Sequence, residues 1–357
     1  LLVNRTTDMM ILKRLRSPKT RLLIAAVVAI VLISGCSKDT SSTTLTGDWA
    51  VSFEYEGVGR TDAVSFTIGD LVYVGLGYNG TDRLNDFWAF QKSTGTWKRV
   101  ATFPGDARNS AVAFTINGIG YVGTGFNGTD KLSDFWSYNP SSDSWAKVAD
   151  LAAFGGTARY GAVGFSIGNK GYIATGYDGN YLKDLWEYDP ATNKWQQKAS
   201  LAGSKRTDAV AFVYNNKAYL VTGVNNGSYL TDFYSYDPSA DAWTRLRNIN
   251  SSDDDNSYDD DYGSNIMRSN AAVFVLSNKA YLCCGERSGV IGTVWEYNID
   301  SDLWTQKTSF EGAARQGAIG FSVDGAGYIT TGTSGSSWYD DLWQFYPDAD
   351  QNSNNNY

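Results

Sequence analysis

The sequence predicts an all-β protein: a six-bladed β-propeller of four-stranded antiparallel blades, closed by an N-terminal outer strand. Three observations predict it. The first is a repeat. An Arg is followed three residues on by Ala and six residues on by Phe, at Arg60-Ala63-Phe66, Arg108-Ala111-Phe114, Arg159-Ala162-Phe165, Arg206-Ala209-Phe212, Arg268-Ala271-Phe274 and Arg315-Ala318-Phe321. The Arg residues are spaced by 48, 51, 47, 62 and 47 residues, the length of a four-stranded blade. The second is aromatic placement: eleven of the 12 Trp fall on repeat positions once Trp49 is counted. The third is turn chemistry. Two Gly, Asn, Asp or Ser residues separate the first two strands of every repeat, from Gly69-Asp70 to Asp324-Gly325, the signature of a tight hairpin.

Each element follows in order. The inner strand carries small residues at alternate positions, such as Ala111 and Ala113 or Ala162 and Gly164, so that six wedges can converge on an axis. The second strand carries a Tyr and ends in Gly, as in Tyr73-Val74-Gly75. The third opens on Asp-Phe-Trp or Asp-Leu-Trp at Asp86, Asp134, Asp184 and Asp341; the fourth copy has Tyr234 for Trp, and the fifth has Thr293 for Asp. The outer strand carries Trp97, Trp145, Trp195, Trp243 or Trp304. The sixth repeat has no outer Trp strand after Pro347. Gly47-Asp48-Trp49 stands in the matching register before Arg60, so the N-terminal strand is expected to complete the last blade and remove an exposed sheet edge.

Residues 1–36 read as an address. Five basic residues between Lys13 and Arg21 precede twelve uncharged residues, Leu22 to Ile33, and Ile33-Ser34-Gly35-Cys36 follows. That is a signal peptide, too short in its apolar run to span a bilayer. The Cys after Ser-Gly resembles a bacterial lipobox, which implies lipidation at Cys36, and Ser37 resembles the sorting residue of outer-membrane lipoproteins. Residues 1–8 read as a misplaced start, 37–46 as a Ser/Thr-rich tether, 47–347 as the propeller and 348–357 as a polar tail. The localisation expected is the outer membrane or cell surface, with the membrane contacted only through the lipid.

Composition narrows the chemistry by exclusion. The chain has no His, which removes a His base, a Ser-His-Asp triad and His-ligated metal sites. Three Cys cannot build a disulfide scaffold or a four-Cys site. The net charge of −8 becomes −13 once residues 1–35 are removed, which argues against nucleic acid. Aromatics at 14% are far too many for a disordered chain. Cys283-Cys284 occupies strand positions and reads as two small buried thiols.

Candidate binding residues lie on one face. Loops between the second and third strands hold Tyr78, Asn79, Phe126, Asn127, Tyr177, Asp178, Tyr181, Asn226, Tyr229 and Trp338. Rings stack on sugars and amides hydrogen-bond to them, so this mixture suits a glycan or a polar peptide; the same Asn-Gly and Asp-Gly pairs also make turns. Arg60, Arg108, Arg159, Arg206, Arg268 and Arg315 begin the inner strands at that face and are expected to ring one mouth of the central channel. They are read either as a cationic site for carboxylates or as partners of nearby Asp86, Asp134, Asp184 and Asp232. The 62-residue spacing marks an acidic insertion, Asn250 to Asn265. Asp253, Asp255, Asp259 and Asp261 are weak calcium candidates there, because the EF-hand positions for Gly and Glu hold Tyr258 and Ser264. A solvated loop is expected instead, with no metal and no cofactor.

These motifs resemble kelch repeats, and over about residues 47–347 the chain resembles kelch-type bacterial lipoproteins. The family's paired Gly is replaced here by Gly75-x-Gly77, Gly123-x-Gly125 or the single Gly176. The resemblance implies a binding module for a glycan or an extracellular protein, expected as a monomeric propeller. It also implies an alternative, a sugar-modifying enzyme like the sialic-acid mutarotases, or a structural subunit of an envelope complex. The copper chemistry of galactose-oxidase-type propellers is excluded by the missing His. No pair of Glu marks an acid–base site.

Overall fold

The computed structural model describes residues 45–250, 262 and 265–356. Residues 1–44, with Cys36 and the signal-peptide and most of the tether reading, lie outside the described residues, as do Asp253, Asp255, Asp259 and Asp261.

The described residues form six four-stranded antiparallel sheets. Blade 1 is Val64–Ile68, Leu71–Gly75, Phe87–Gln91 and Thr96–Val100. Blades 2 to 5 repeat this order, with inner strands Val112–Ile116, Val163–Ile167, Val210–Tyr214 and Ala272–Leu276. Blade 6 takes Ile319–Val323, Ala326–Thr330 and Leu342–Tyr346 from the end of the chain, and Asp48–Val51 from its beginning. Asp48–Val51 pairs with Leu342–Tyr346 in the register Trp49 to Phe345. The inner strands neighbour one another in cyclic order, blade 6 returning to blade 1. Every first hairpin turns through left-handed residues, such as Asn117 (φ 51°) with Gly118 (φ 76°), which is why Gly, Asn and Asp hold those places.

Six apolar cores fill the six gaps between blades. Between blades 1 and 2, Phe66 stacks on Tyr73 at 5.0 Å, and Tyr138 of the next blade closes on Tyr73 at 5.2 Å. Each such ring contributes roughly 2–3 kcal/mol by burial. Gly120 is required beneath Phe66, because a Cβ there would stand 2.3 Å from the ring. A second lock is polar. The outer hairpin residue Asp143 accepts a hydrogen bond from the Tyr138 hydroxyl of its own blade (2.7 Å). It accepts another from the Ala101 N–H of the preceding blade (2.8 Å). Asp241 repeats this with Tyr236 and Ala199.

The six repeated Arg residues are staples and do not ring the channel mouth as a cationic site. All six are fully buried. Each Nη1 donates to the carbonyl sixteen residues on, at 2.8–3.1 Å. Those carbonyls belong to Leu76, Thr124, Thr175, Thr222, Cys284 and Thr331, all at φ between 57° and 65°. That left-handed conformation is costly for non-glycine residues, and the guanidinium bond helps to over-determine it. In blades 1 to 3 Nη1 and Nη2 also fork onto a carboxylate: Arg60 on Asp86 (2.6 and 2.9 Å), Arg108 on Asp134 (2.6 and 2.9 Å) and Arg159 on Asp184 (2.7 and 2.8 Å). Arg315 does the same with Asp341, and Arg206 reaches Asp232 at 2.6 Å. The second carboxylate oxygen also accepts the indole N–H of Trp88, Trp136, Trp186 or Trp343. One ion pair thus ties the inner, second and third strands, and the Arg–Asp–Trp part of the repeat is the sequence record of that staple. The cationic-site reading fails because no guanidinium reaches a surface.

Candidate site at the axial mouth and loop face

The axial mouth is built by the residue two positions after each Arg. These are Asp62, Ser110, Gly161, Asp208, Asn270 and Gly317, with φ between 50° and 63°. The turn aims every N–H along the ring. Each donates to the carbonyl of its counterpart in the preceding blade: Ser110 to Asp62 (2.9 Å), Gly161 to Ser110 (3.1 Å), Asp208 to Gly161 (2.9 Å), Asn270 to Asp208 (3.1 Å), Gly317 to Asn270 (2.9 Å) and Asp62 to Gly317 (2.9 Å). Six backbone hydrogen bonds therefore close a hoop about the axis. The side chains repeat with a three-blade offset: Asp, Ser, Gly, then Asp, Asn, Gly. Asp62 and Asp208 stand across the ring from each other.

Two glycines make room for the carboxylates. A Cβ on Gly317 would lie 2.6 Å from Asp62 Oδ1, and one on Gly161 would lie 2.5 Å from Asp208 Oδ1. The mouth encloses a cavity of about 130 Å³. Below it the Ala and Gly of the inner strands line a further space of about 190 Å³. The mouth has room for several waters but is smaller than the ~300 Å³ of an ordinary ligand pocket. Burial raises the Asp62 carboxyl to about 6, against hydrogen bonds from Asn109 and Thr61. Burial, then the charge of Asp62, raises Asp208 to about 7. At both carboxyls burial disfavours the charged form, and the two face one mouth.

Around this mouth lie the loops between second and third strands. Phe126, Tyr160 and Tyr177 form a row with ring centres 5.6 Å apart at each step, and Tyr181 extends it at 5.3 Å from Tyr177. All four rings are partly exposed. Burial, then the neighbouring Asp208, holds the Tyr160 hydroxyl above its usual range. Of the sequence candidates, the structure brings Tyr78, Phe126, Tyr177 and Tyr181 to this side. Tyr160 joins the row without having been singled out, because the residue after the Arg is aromatic in this blade alone.

The amide and acid candidates are spent on turns. Asn79 Oδ1 accepts the N–H groups of Thr81 (2.9 Å) and Asp82 (2.7 Å), and Asn127 Oδ1 those of Thr129 (3.0 Å) and Asp130 (2.7 Å). Asp178 Oδ1 accepts that of Asn180 (2.9 Å). Asn226 is a left-handed turn residue at φ 48°. Tyr229 meets the next blade, its hydroxyl 3.4 Å from the Ser288 N–H. The Trp338 indole packs over Gly80, where a Cβ would stand 2.4 Å from the ring, so it bridges blades 6 and 1.

Arg83 and Asn109 complete the site. The Arg83 guanidinium lies between the rings of Tyr78 (5.3 Å) and Phe126 (4.8 Å). Its Nε donates to Asn109 Oδ1 at 2.9 Å, and Asn109 Nδ2 donates to Ser110 Oγ of the mouth at 3.0 Å. Neither residue recurs at its place in other blades, so a reading keyed to the repeat passes over them. The signal available was the shared run Arg-Thr-Asp-Ala-Val at 60–64 and 206–210, which marks the two Asp. Among the described residues no group of three or more acidic or Cys ligands is placed to hold a metal ion.

Residues 57–189 match the family model described as N-acetylneuraminate epimerase, and residues 205–250 match the kelch motif. The solved structure titled "Structure of YjhT" matches with a TM-score of 0.67 at 16% identity, covering 81% of this chain and 95% of that one. At that identity the likeness is one of fold. Among curated proteins none matches the chain in sequence.

Proposed function

We propose that this kelch-type six-bladed propeller binds a sugar on the loop face, across the row Phe126–Tyr160–Tyr177–Tyr181 and over the axial mouth. The row carries the reading: partly exposed rings beside hydroxyl and carboxyl groups make a stacking platform with hydrogen-bonding edges. Support comes from the N-acetylneuraminate epimerase match, whose residues 57–189 contain every ring of the row.

A second reading, anomer interconversion, is favoured by Asp62 and Asp208. Opening a sugar ring needs a base at the anomeric hydroxyl and an acid at the ring oxygen. Two carboxyls at about 6 and about 7 supply one of each at neutral pH. In both readings the chain is held at a membrane by lipid on Cys36, outside the cytoplasm. Loss of palmitate label in Cys36→Ala tests that, and unchanged label defeats it.

A glycan array combined with proton NMR of anomer exchange tests the sugar site. Binding that falls about tenfold or more in Tyr177→Ala, with unchanged thermal stability, is the expected result. Exchange catalysed by the wild type and lost in Asp62→Asn or Asp208→Asn establishes the second reading. No sugar retained at millimolar concentration sinks both.

A further inference from the structure

We propose that the cleft in blade 4 is a second sugar subsite, so that the loop face takes a chain of linked sugars rather than a single one; the inference rests on the sugar-binding reading and deepens it. The cleft measures about 480 Å³, within the ~300–1,000 Å³ of ordinary ligand pockets, whereas the axial mouth at about 130 Å³ is not. Ser204, Tyr229, Thr231 and Tyr234 line it. They bring four hydroxyls, two of them on aromatic rings, which is the set that a sugar's hydroxyls and apolar ring face meet.

One departure from the repeat accompanies the cleft. The other blades carry Trp88, Trp136, Trp186, Trp295 and Trp343 at this place of the third strand, and blade 4 carries Tyr234. Four of those indoles donate to the staple Asp. Tyr234 is 8% exposed, yet its hydroxyl has no hydrogen-bond partner among the described residues. Leaving a nearly buried hydroxyl unpaired is costly, and this one belongs to a wall of the cleft, where a ligand hydroxyl meets it. The ring is held in place by Gly203, where a Cβ would stand 2.5 Å from Cε2. Asp232 is engaged elsewhere, by Arg206 (2.6 Å) and the Ser204 N–H (3.0 Å). The cleft also continues the aromatic row. Tyr181 ends the row in blade 3, and the carbonyl of the next residue, Leu182, accepts the Arg206 N–H at 2.9 Å. Ser204 of the cleft wall lies two residues before Arg206, so one backbone pairing separates the row from the cleft. A sugar unit linked to one already stacked on the row reaches the cleft at high effective concentration.

The test is calorimetric titration of the full chain with N-acetylneuraminate, the sugar in the description of the matching family, and with its glycosidically linked dimer. The quantity read is the ratio of dimer to monomer affinity. The wild type is expected to bind the dimer about tenfold or more tightly than the monomer. Tyr234→Phe removes only the hydroxyl and is expected to reduce that ratio about two- to tenfold, the worth of one hydrogen bond. Tyr234→Trp fills part of the cleft and is expected to bring the ratio close to one. The wild-type comparison requires no variant to fold. A wild-type ratio close to one, with the monomer bound, overturns the subsite and leaves the sugar site standing. A full wild-type ratio retained in both variants does the same. Binding of neither compound overturns the sugar reading and this inference together.

Discussion

Thr293 is the residue at which the staple is incomplete. Arg268 is fully buried like its counterparts, yet its Nη2 meets the Thr293 hydroxyl (2.8 Å) and the Asn265 carbonyl (2.9 Å) instead of a carboxylate. Burial depresses the guanidinium to about 10, well below the usual range for arginine. The Trp295 indole N–H has no partner among the described residues, whereas in four other blades the staple Asp accepts its counterpart. Thr293→Asp restores both contacts. It is expected to raise stability by about 1–3 kcal/mol, read as a higher urea midpoint with an unchanged slope. A lowered midpoint would show that blade 5 cannot accept the charge. The same chemistry explains why the Arg, the Asp and the Trp were readable in the sequence. Each copy meets the same neighbours in its own blade, so the residue types recur.

Blade 4 departs from the repeat at the level of the element. Tyr234 replaces the Trp of the third strand, and Asp232 accepts the Ser204 N–H (3.0 Å) where other blades bring an indole. A cleft of about 480 Å³ opens there, lined by Tyr229, Asp232, Tyr234 and Arg245 among others. Tyr234→Trp is expected to fill part of it, donate to Asp232 and raise the thermal midpoint, with a gain of about 0.5–2 kcal/mol. An unchanged or lower midpoint would mean that the cleft cannot take the larger ring. The closing blade shows the same scale of argument. Asp48 accepts the Asn352 N–H and the Asn355 amide, both at 2.7 Å, so the C-terminal residues strap the strand that completes blade 6. The register of Trp49 was legible from its distance to Arg60. The strap was not, because the Asn-rich tail has no periodic counterpart.

Across the whole molecule, two sets of carboxyls pull stability in opposite directions with pH. Burial raises Asp86 and Asp134, but the hydrogen bonds and charge of Arg60 and Arg108 outweigh it and hold both below the usual range. Their contribution is present above the unfolded pKa near 4 and is lost as pH falls through the lower folded value. Asp62 and Asp208 are raised, so their contribution is full below about pH 4 and is lost as pH rises through about 6 and about 7. Urea unfolding across pH 3 to 9 is expected to show a maximum between about pH 4 and 6. The Asp62→Asn, Asp208→Asn double variant is expected to flatten the alkaline side, by on the order of a few kcal/mol. An unchanged alkaline limb would show that water in the channel solvates the pair.

The sequence by itself determined the blades and their number, and for the repeated Arg it offered Asp partners beside a cationic site. Those depend on short-range patterns: strand alternation, two-residue turns and contacts within one repeat, written six times. Only the tertiary structure decided the site. Asp62 and Asp208 come from blades three repeats apart and line one mouth because the ring closes, and burial there raises both carboxyls. Arg83 takes its meaning from Tyr78 on one blade and Phe126 and Asn109 on the next. A residue whose role is set by a neighbouring blade leaves no period in the chain, which is why the loop aromatics could be singled out in advance and Asp62, Asp208 and Arg83 could not.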